Sequence, residues 1–284
     1  MNFENLTLVQ QNILFASIMA DGEITKCYPG SRRKNNSYRE HFGEHQRDYR
    51  KWKASFYEGQ LYIRPNNNYL VSKSDPYFTQ LYPHFYENSG NKKIPEKLLP
   101  YCSLPHFLTV LYLDDGSLCI TKRINHHKKL IYLTPSIFLY LQNYPREQLL
   151  ILKAHIYNRF GFDFNISRRK DGYGYILKLT TIKASLEFLA VVNEIASDCI
   201  QMDYKYNWEK RLQLEKEKIK NIYTSYQIQS SDSSRYKNYS ENEIAELIHL
   251  KKNGKTDNQI AIELQRSYWS VVYKLRELRK DGFL

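Results

Sequence analysis

Two aspartates, Asp21 and Asp115, each close an apolar run and precede a glycine. The first run is Leu14-Phe15-Ala16-Ser17-Ile18-Met19-Ala20-Asp21-Gly22 and the second is Leu108-Thr109-Val110-Leu111-Tyr112-Leu113-Asp114-Asp115-Gly116. A carboxylate at the C-terminal end of a helix faces the negative pole of the macrodipole and is disfavoured there unless something compensates. A bound divalent cation would compensate. If the two helices lie side by side about a pseudo-two-fold axis, Asp21 and Asp115 meet at their ends and can share hard cations through oxygen ligands, as Mg²⁺ requires. Two carboxylates, metal ions and surrounding basic side chains make an apparatus for hydrolysing phosphodiesters, and one site on each side of the axis could cut both strands of a duplex. Either segment alone reads as an ordinary Asp-Gly turn after a buried helix. Their repetition with matched flanks carries the argument.

Several elements must hold these residues. Each apolar run predicts a helix broken by Asp-Gly, with glycine suited to the left-handed conformation that stops a helix. Ala16 and Ala20 lie four apart on one face, so the first helix can approach a partner closely, and Val110 and Asp114 hold the same places in the second. Strand-like material occupies residues 31–45 and 60–72, then 118–133 and 162–181. Residues 31–53 hold eight basic and three acidic side chains with Tyr38, Phe42, Tyr49 and Trp52 interleaved. Alternation through Ser37–Phe42 suits a strand lying along a DNA groove, and equally a solvated basic face. Arg32, Arg33, Lys34, Arg39 and Arg47 are candidate contacts here, and Arg123, Arg168, Arg169 and Lys170 in the later strands. Arginine can grip guanine in a major groove that admits a β ribbon, although phosphate contacts predominate in such interfaces. His126-His127 lacks further ligands at metal-site spacing and reads as a solvent- or DNA-facing loop.

The composition frames these motifs. The chain has 284 residues, a net charge of +12 and 42% hydrophobic residues, which argues against disorder and leaves room for one or two domains. A polyanion is the first partner to consider, because neutralising phosphates releases condensed counterions. No stretch approaches the ~20 apolar residues of a membrane span, and the amino end lacks a secretory-signal layout, so an intracellular protein without a membrane partner is expected. Cys27, Cys102, Cys119 and Cys199 form no C-x-x-C pair and read as reduced thiols. Abundant Tyr, Asn, Ile and Lys suggest an AT-rich genome, such as an organelle, a phage or a low-GC bacterium.

With its flanks included, the sequence resembles the LAGLIDADG homing endonucleases in their monomeric, two-motif form. Residues 10–24 are similar to the family's opening, Lys92-Lys93-Ile94-Pro95-Glu96 to its lysine-x-Ile-Pro element, and Met202-Asp203-Tyr204-Lys205 to the closing Tyr-Lys. The resemblance covers about residues 6–207. Ala16 replaces the usual motif glycine, and Met202 stands one residue further from Tyr204 than in the commonest form. The resemblance implies an α+β fold of two pseudo-symmetric αββαββα halves, about 1–100 and 101–210, whose antiparallel sheets form a saddle over double-stranded DNA. It implies Mg²⁺, with Mn²⁺ able to substitute, bound by Asp21 and Asp115. Lys92 and Lys205 would stand near the attacking water or the developing charge. Asp114 either supports the adjacent motif helix or joins the metal directly. An intron-splicing maturase that binds intron RNA and a DNA-binding regulator that does not cut are the alternatives.

Residues 211–238 are expected to be a helical extension followed by a serine-rich linker beginning near residue 224. Ser240 with Glu243 signals a capping box, Gly254 ends that helix, and Asp257–Leu264 and Ser267–Lys280 supply two more. Residues 239–284 thus resemble a Myb/SANT-like or helix-turn-helix module, whose third helix enters the major groove. Ser270, Tyr273, Lys274 and Arg276 would be its contacts, while Trp269, Val272 and Leu275 compete for the core, and a protein-binding or capping bundle is the alternative.

Overall fold

The computed structural model describes residues 5–230, 239–266 and 268–284. Helix α1 (Leu8–Met19) starts at Thr7, whose hydroxyl accepts from the Gln10 backbone N–H while the Gln10 side chain accepts from the Thr7 N–H. That reciprocal pair satisfies two otherwise orphaned donors. Helix α4 (Pro105–Asp115) starts on a proline, whose missing N–H costs nothing at a first helical position. Asn12–Met19 and Phe107–Asp114 are buried all round, as expected of helices at a core rather than on a surface. They pack against each other.

Each motif helix runs straight into a strand. The first half continues β1 (Gly22–Thr25), β2 (Ser37–His41), α2 (Arg47–Ser55), β3 (Leu61–Ile63), β4 (Tyr69–Ser72) and α3 (Pro76–Phe85). The second continues β5 (Gly116–Asn125), β6 (Leu130–Leu139), α5 (Arg146–Phe160), β7 (Asn165–Arg168), β8 (Tyr175–Leu179) and α6 (Ile182–Ala196). The antiparallel sheets are ordered β1-β2-β4-β3 and β5-β6-β8-β7, so the αββαββα plan occurs twice. Strand β1 falls outside the expected windows, being short and directly after the helix. No described helix is long and apolar enough to cross a membrane.

The motif glycines differ from expectation. Gly116 is extended, at φ −99° and ψ 163°, and Gly22 is absent from the positive-φ residues. Glycine is needed here for space. A Cβ on Gly116 would lie 2.1 Å from the Tyr112 ring and 2.4 Å from its carbonyl, and one on Gly22 would lie 2.5 Å from the Tyr38 hydroxyl.

Beyond α6, α7 (Asp203–Tyr206) carries Lys205, and α8 (Trp208–Ile222) buries Trp208, Leu212 and Ile219 in the main core. Gln227–Ser230, within the expected linker, instead forms a strand, β9, parallel to Leu130–Leu133 of β6. The reason lies in β6: β8 pairs only with Ile137–Leu139, and the outer part of that edge would otherwise stay unpaired. Residues 231–238 of the expected linker lie outside the described residues. Chain contacts divide the protein into Met1–Ser231 and Asp232–Leu284. In the second unit α9 (Glu241–Lys252), α10 (Asp257–Glu263) and α11 (Tyr268–Lys280) enclose Leu247, Leu250, Ile260, Val271, Leu275 and Leu278. The Ser240–Glu243 capping box is present.

Candidate functional site

Both matched lysines reach the ends of the motif helices. Lys92 Nζ donates to the carbonyls of Ala20 and Gly22 at 2.6 and 2.7 Å. Lys205 Nζ donates to those of Leu113 and Asp114 at 2.5 and 3.2 Å. Each ammonium therefore supplies the positive charge that a helix C-terminus favours, so compensation at these ends comes partly from protein. Burial pushes both ammonium pKa values down, while Asp21, Asp114 and Asp115 pull them back up. Asp115 is half-buried beside them, and its carboxylate accepts no hydrogen bond among the described residues. Burial pushes its pKa up to about 7, Asp21 and Asp114 add to the shift, and Lys92 and Lys205 oppose it.

Asp21 sits in a different setting. Its Oδ2 accepts from Arg50 Nη2 at 2.7 Å, and Arg50, on α2, is 0% exposed. Nε of Arg50 lies 2.6 Å from Glu40 Oε1, and Nη1 lies 3.9 Å from Asp114 Oδ1. One turn on, Lys53 Nζ donates to Glu40 at 2.9 Å and to Asp114 at 2.7 Å, and the Tyr49 hydroxyl donates to Asp114 at 2.9 Å. Three carboxylates thus face two cations, leaving one net negative charge. Buried ions persist only when paired in this way. Burial raises Glu40, but Lys53 and Arg50 outweigh it and hold its pKa down. For Asp114, burial together with Glu40 and Asp21 prevails over Lys53 and Arg50, and its pKa rises to about 6.

Glu40, Arg50 and Lys53 were not singled out from the sequence, where residues 31–53 read as one basic window. A usable signal existed: strand alternation puts Glu40 on the same face as Tyr38 and Phe42, and Arg50 and Lys53 share a helix face beside Tyr49. Asp114 ties the second motif helix to α2 of the first half through Lys53 and Tyr49.

The donor set suits a hard cation. Oxygen atoms of Asp21, Glu40 and Asp114 all lie within 4.8 Å of one another, and carboxylate oxygen is what divalent Mg²⁺ or Mn²⁺ selects. These residues can coordinate a divalent metal. Glu40 and Asp114 already hold Lys53 and Arg50, whereas Asp21 keeps 32% of its side chain exposed, which makes Asp21 the accessible donor of the three. Asp115 is outside that cluster but close enough for Asp21 to shift its pKa.

Among the expected DNA contacts, Arg32, Lys34, Arg39, Arg123, Arg168 and Lys170 are exposed. Arg39 pairs with Glu23 on the neighbouring strand. Arg33 is tied to Ser37 Oγ at 2.7 Å, and Arg169 is held by Asp171 beside the Tyr140 ring. Arg47 belongs to α2 rather than a strand and is held by Glu44 and Asn68. His126 Nδ1 lies 3.0 Å from the Tyr226 hydroxyl, with no metal cluster around it among the described residues. On α11, Val271 and Leu275 face the core, Tyr273 and Arg276 face outward, Lys274 bonds Glu277, and Ser270 lies 3.2 Å from the Tyr239 hydroxyl. Val272 is half-buried. Ser267 and the Trp269 side chain lie outside the described residues.

Paired buried helices, an acid at the end of each and a lysine on each end, with one antiparallel sheet in each half, define a two-motif saddle architecture. The chain belongs to the LAGLIDADG DNA endonuclease family, whose sequence model matches residues 11–185. Among solved structures, the homing endonuclease I-WcaI bound to its DNA recognition sequence is 20% identical, covering 71% of this chain and 87% of that one, with a TM-score of 0.51. The LAGLIDADG meganuclease I-AabMI bound to uncleaved DNA is 11% identical over 76% of this chain and 99% of that one, with a TM-score of 0.47. At 20% identity the likeness to the first of these concerns the fold. No curated protein sequence matches the chain.

Proposed function

We propose that the protein is a monomeric, site-specific endonuclease that hydrolyses both strands of a long, asymmetric DNA duplex, using Mg²⁺ with Mn²⁺ able to substitute. The observation that carries this reading is the pair of motif helices whose acids, Asp21 and Asp115, lie beside helix ends held by Lys92 and Lys205. Asp21 and Asp115 would hold the metal, which when bound polarises the scissile phosphate and lowers the pKa of its water.

The chain's own groups do the rest. Each ammonium has three protons and spends two on carbonyls, so one remains to orient a water or to meet negative charge developing on phosphorus. Arg32, Lys34, Arg39, Arg123, Arg168 and Lys170 supply sequence-independent phosphate contacts that position the duplex. The outward face of α11, with Tyr273 and Arg276, adds affinity through tethering.

The test is selection of cleaved sites from a randomised or genomic DNA library with Mg²⁺, followed by comparison with Asp21→Asn and Asp115→Asn on the selected site. Wild type is expected to linearise the target, and each variant to nick it at most. If both variants cut both strands as well as wild type, the assignment of the metal ligands is wrong.

A further inference from the structure

The strand registers align the two halves residue by residue. Gly22 faces Glu40 across β1 and β2, and Gly116 faces Leu139 across β5 and β6. Glu40 and Leu139 are therefore counterparts, and both are buried. Within the motifs, Ala20 is the counterpart of Asp114. These two exchanges make the charge network one-sided. Glu40 anchors Arg50 at 2.6 Å and Lys53 at 2.9 Å, whereas Leu139 can anchor no cation.

The consequence falls on the two motif acids. Asp21 has one oxygen fixed by a fully buried guanidinium, which is itself braced by Glu40 and faces Asp114. Among the described residues no hydrogen-bond donor does this for Asp115. A carboxylate held in one rotamer meets its ligand or substrate without first losing torsional freedom, and small misplacements of reacting groups are costly in rate. The guanidinium does not repel a divalent cation from Asp21, because Asp21, Glu40 and Asp114 outnumber Arg50 and Lys53 and leave one net negative charge.

We propose that Arg50 is a positioning residue for Asp21 and not for Asp115, so that the two strands of a bound duplex are cut at unequal rates and the strand served by Asp21 is cut first. The inference rests on the endonuclease reading above.

The experiment follows a supercoiled plasmid carrying the selected site, together with duplexes labelled on either strand, under single-turnover conditions with Mg²⁺. Asp21→Asn and Asp115→Asn establish which strand depends on which acid. For wild type, nicked circles should precede linear product, with the Asp21-dependent strand cut at least about threefold faster. Arg50→Gln should slow that strand roughly tenfold and leave the other within about twofold, and Arg50→Lys should restore part of the loss. The wild-type strand ratio needs no variant to fold. The double variant Glu40→Gln/Arg50→Gln, which removes the charges as a pair, should show the same one-sided loss. Equal strand rates in wild type, the Asp115-dependent strand cut first, or equal slowing of both strands by Arg50→Gln would each overturn the proposal while leaving the endonuclease reading intact. Absence of any cutting by wild type overturns that reading and the proposal with it.

Discussion

Asp115 is a carboxyl whose folded-state pKa stands near 7 because it is buried and has Asp21 and Asp114 as neighbours, against about 3.9 in an unfolded chain. The folded state therefore holds the proton more tightly. Its stabilising contribution is complete below about pH 4 and is lost as pH rises through about 7. At pH 8 without metal, the fold must carry an ionised Asp115 that it disfavours. Asp115→Asn should then melt about 3 °C or more above wild type in EDTA at pH 8, and the gain should vanish near pH 4. Mg²⁺ should stabilise wild type more than the variant. Scanning calorimetry at the two pH values, with and without metal, checks both points, and a gain that persists at pH 4 would contradict the burial account. Asp115 and Asp21 were legible in the sequence because their residue type, following glycine and apolar run occur twice, and Lys92 and Lys205 because their flanks fit a family pattern. Arg50 and Lys53 were not, because a charged residue carries no local mark of burial. Only the folding of α2 against Glu40 and Asp114 distinguishes them from the solvated Lys51 between them.

The motif helices work through their ends, and the glycines show how closely those ends are fitted. Tyr112 lies under Gly116 and donates from its hydroxyl to the Lys205 carbonyl at 2.5 Å, so the strand start, the helix side and Lys205 form one packed column. Gly116→Ala must push the Tyr112 ring or the strand. Overpacking of this kind costs about 1–3 kcal/mol, and any displacement is passed to Lys205. The variant should lose both melting temperature and cleavage rate. Gly161 gives the contrast: it caps α5 at φ 78°, with nothing within 4 Å of an added Cβ. Gly161→Ala should cost about 1 kcal/mol through backbone strain and leave cleavage unchanged once the protein is folded. Thermal melts paired with single-turnover rates separate the two, and equal activity losses would show that Gly116 has no special coupling to the site. Helix-plus-glycine was readable from residue pattern, but the reason for glycine was not, since it depends on a ring brought back from the preceding turn. Strand β9 was equally hidden. Three of its four residues are polar and they lie in a linker-like composition, and they become a strand only because β6 offers an unpaired edge.

At the scale of the whole chain, the net charge of +12 is not spread evenly over outward surfaces. Arg50, Lys53, Lys92 and Lys205 are turned inward on acids and helix ends, and Arg47, Arg169 and Lys274 are held by neighbouring acids. Acids match these cations, so the net charge left to outward surfaces is not reduced, but fewer basic side chains remain available to meet phosphates, and those at the end of α11 become a substantial part of them. Arg276, Arg279 and Lys280 are exposed there, on a three-helix unit with its own apolar core. Each phosphate neutralised contributes about 0.9 to the slope of log affinity against log salt on duplex DNA. A chain ending at Ser231 should keep the fold of its unit, since Trp208, Leu212 and Ile219 bury in that unit's own core. If α11 meets the backbone with two or three of these side chains, the shortened chain should bind its target with a slope smaller by roughly 2–3 and should still cut the same site at saturating protein. Binding titrations from low to moderate salt, on full-length and shortened chains, read this directly. An unchanged slope would mean that the three-helix unit does not contact DNA and that another surface, such as one for a protein partner, is the reason for its basic helix.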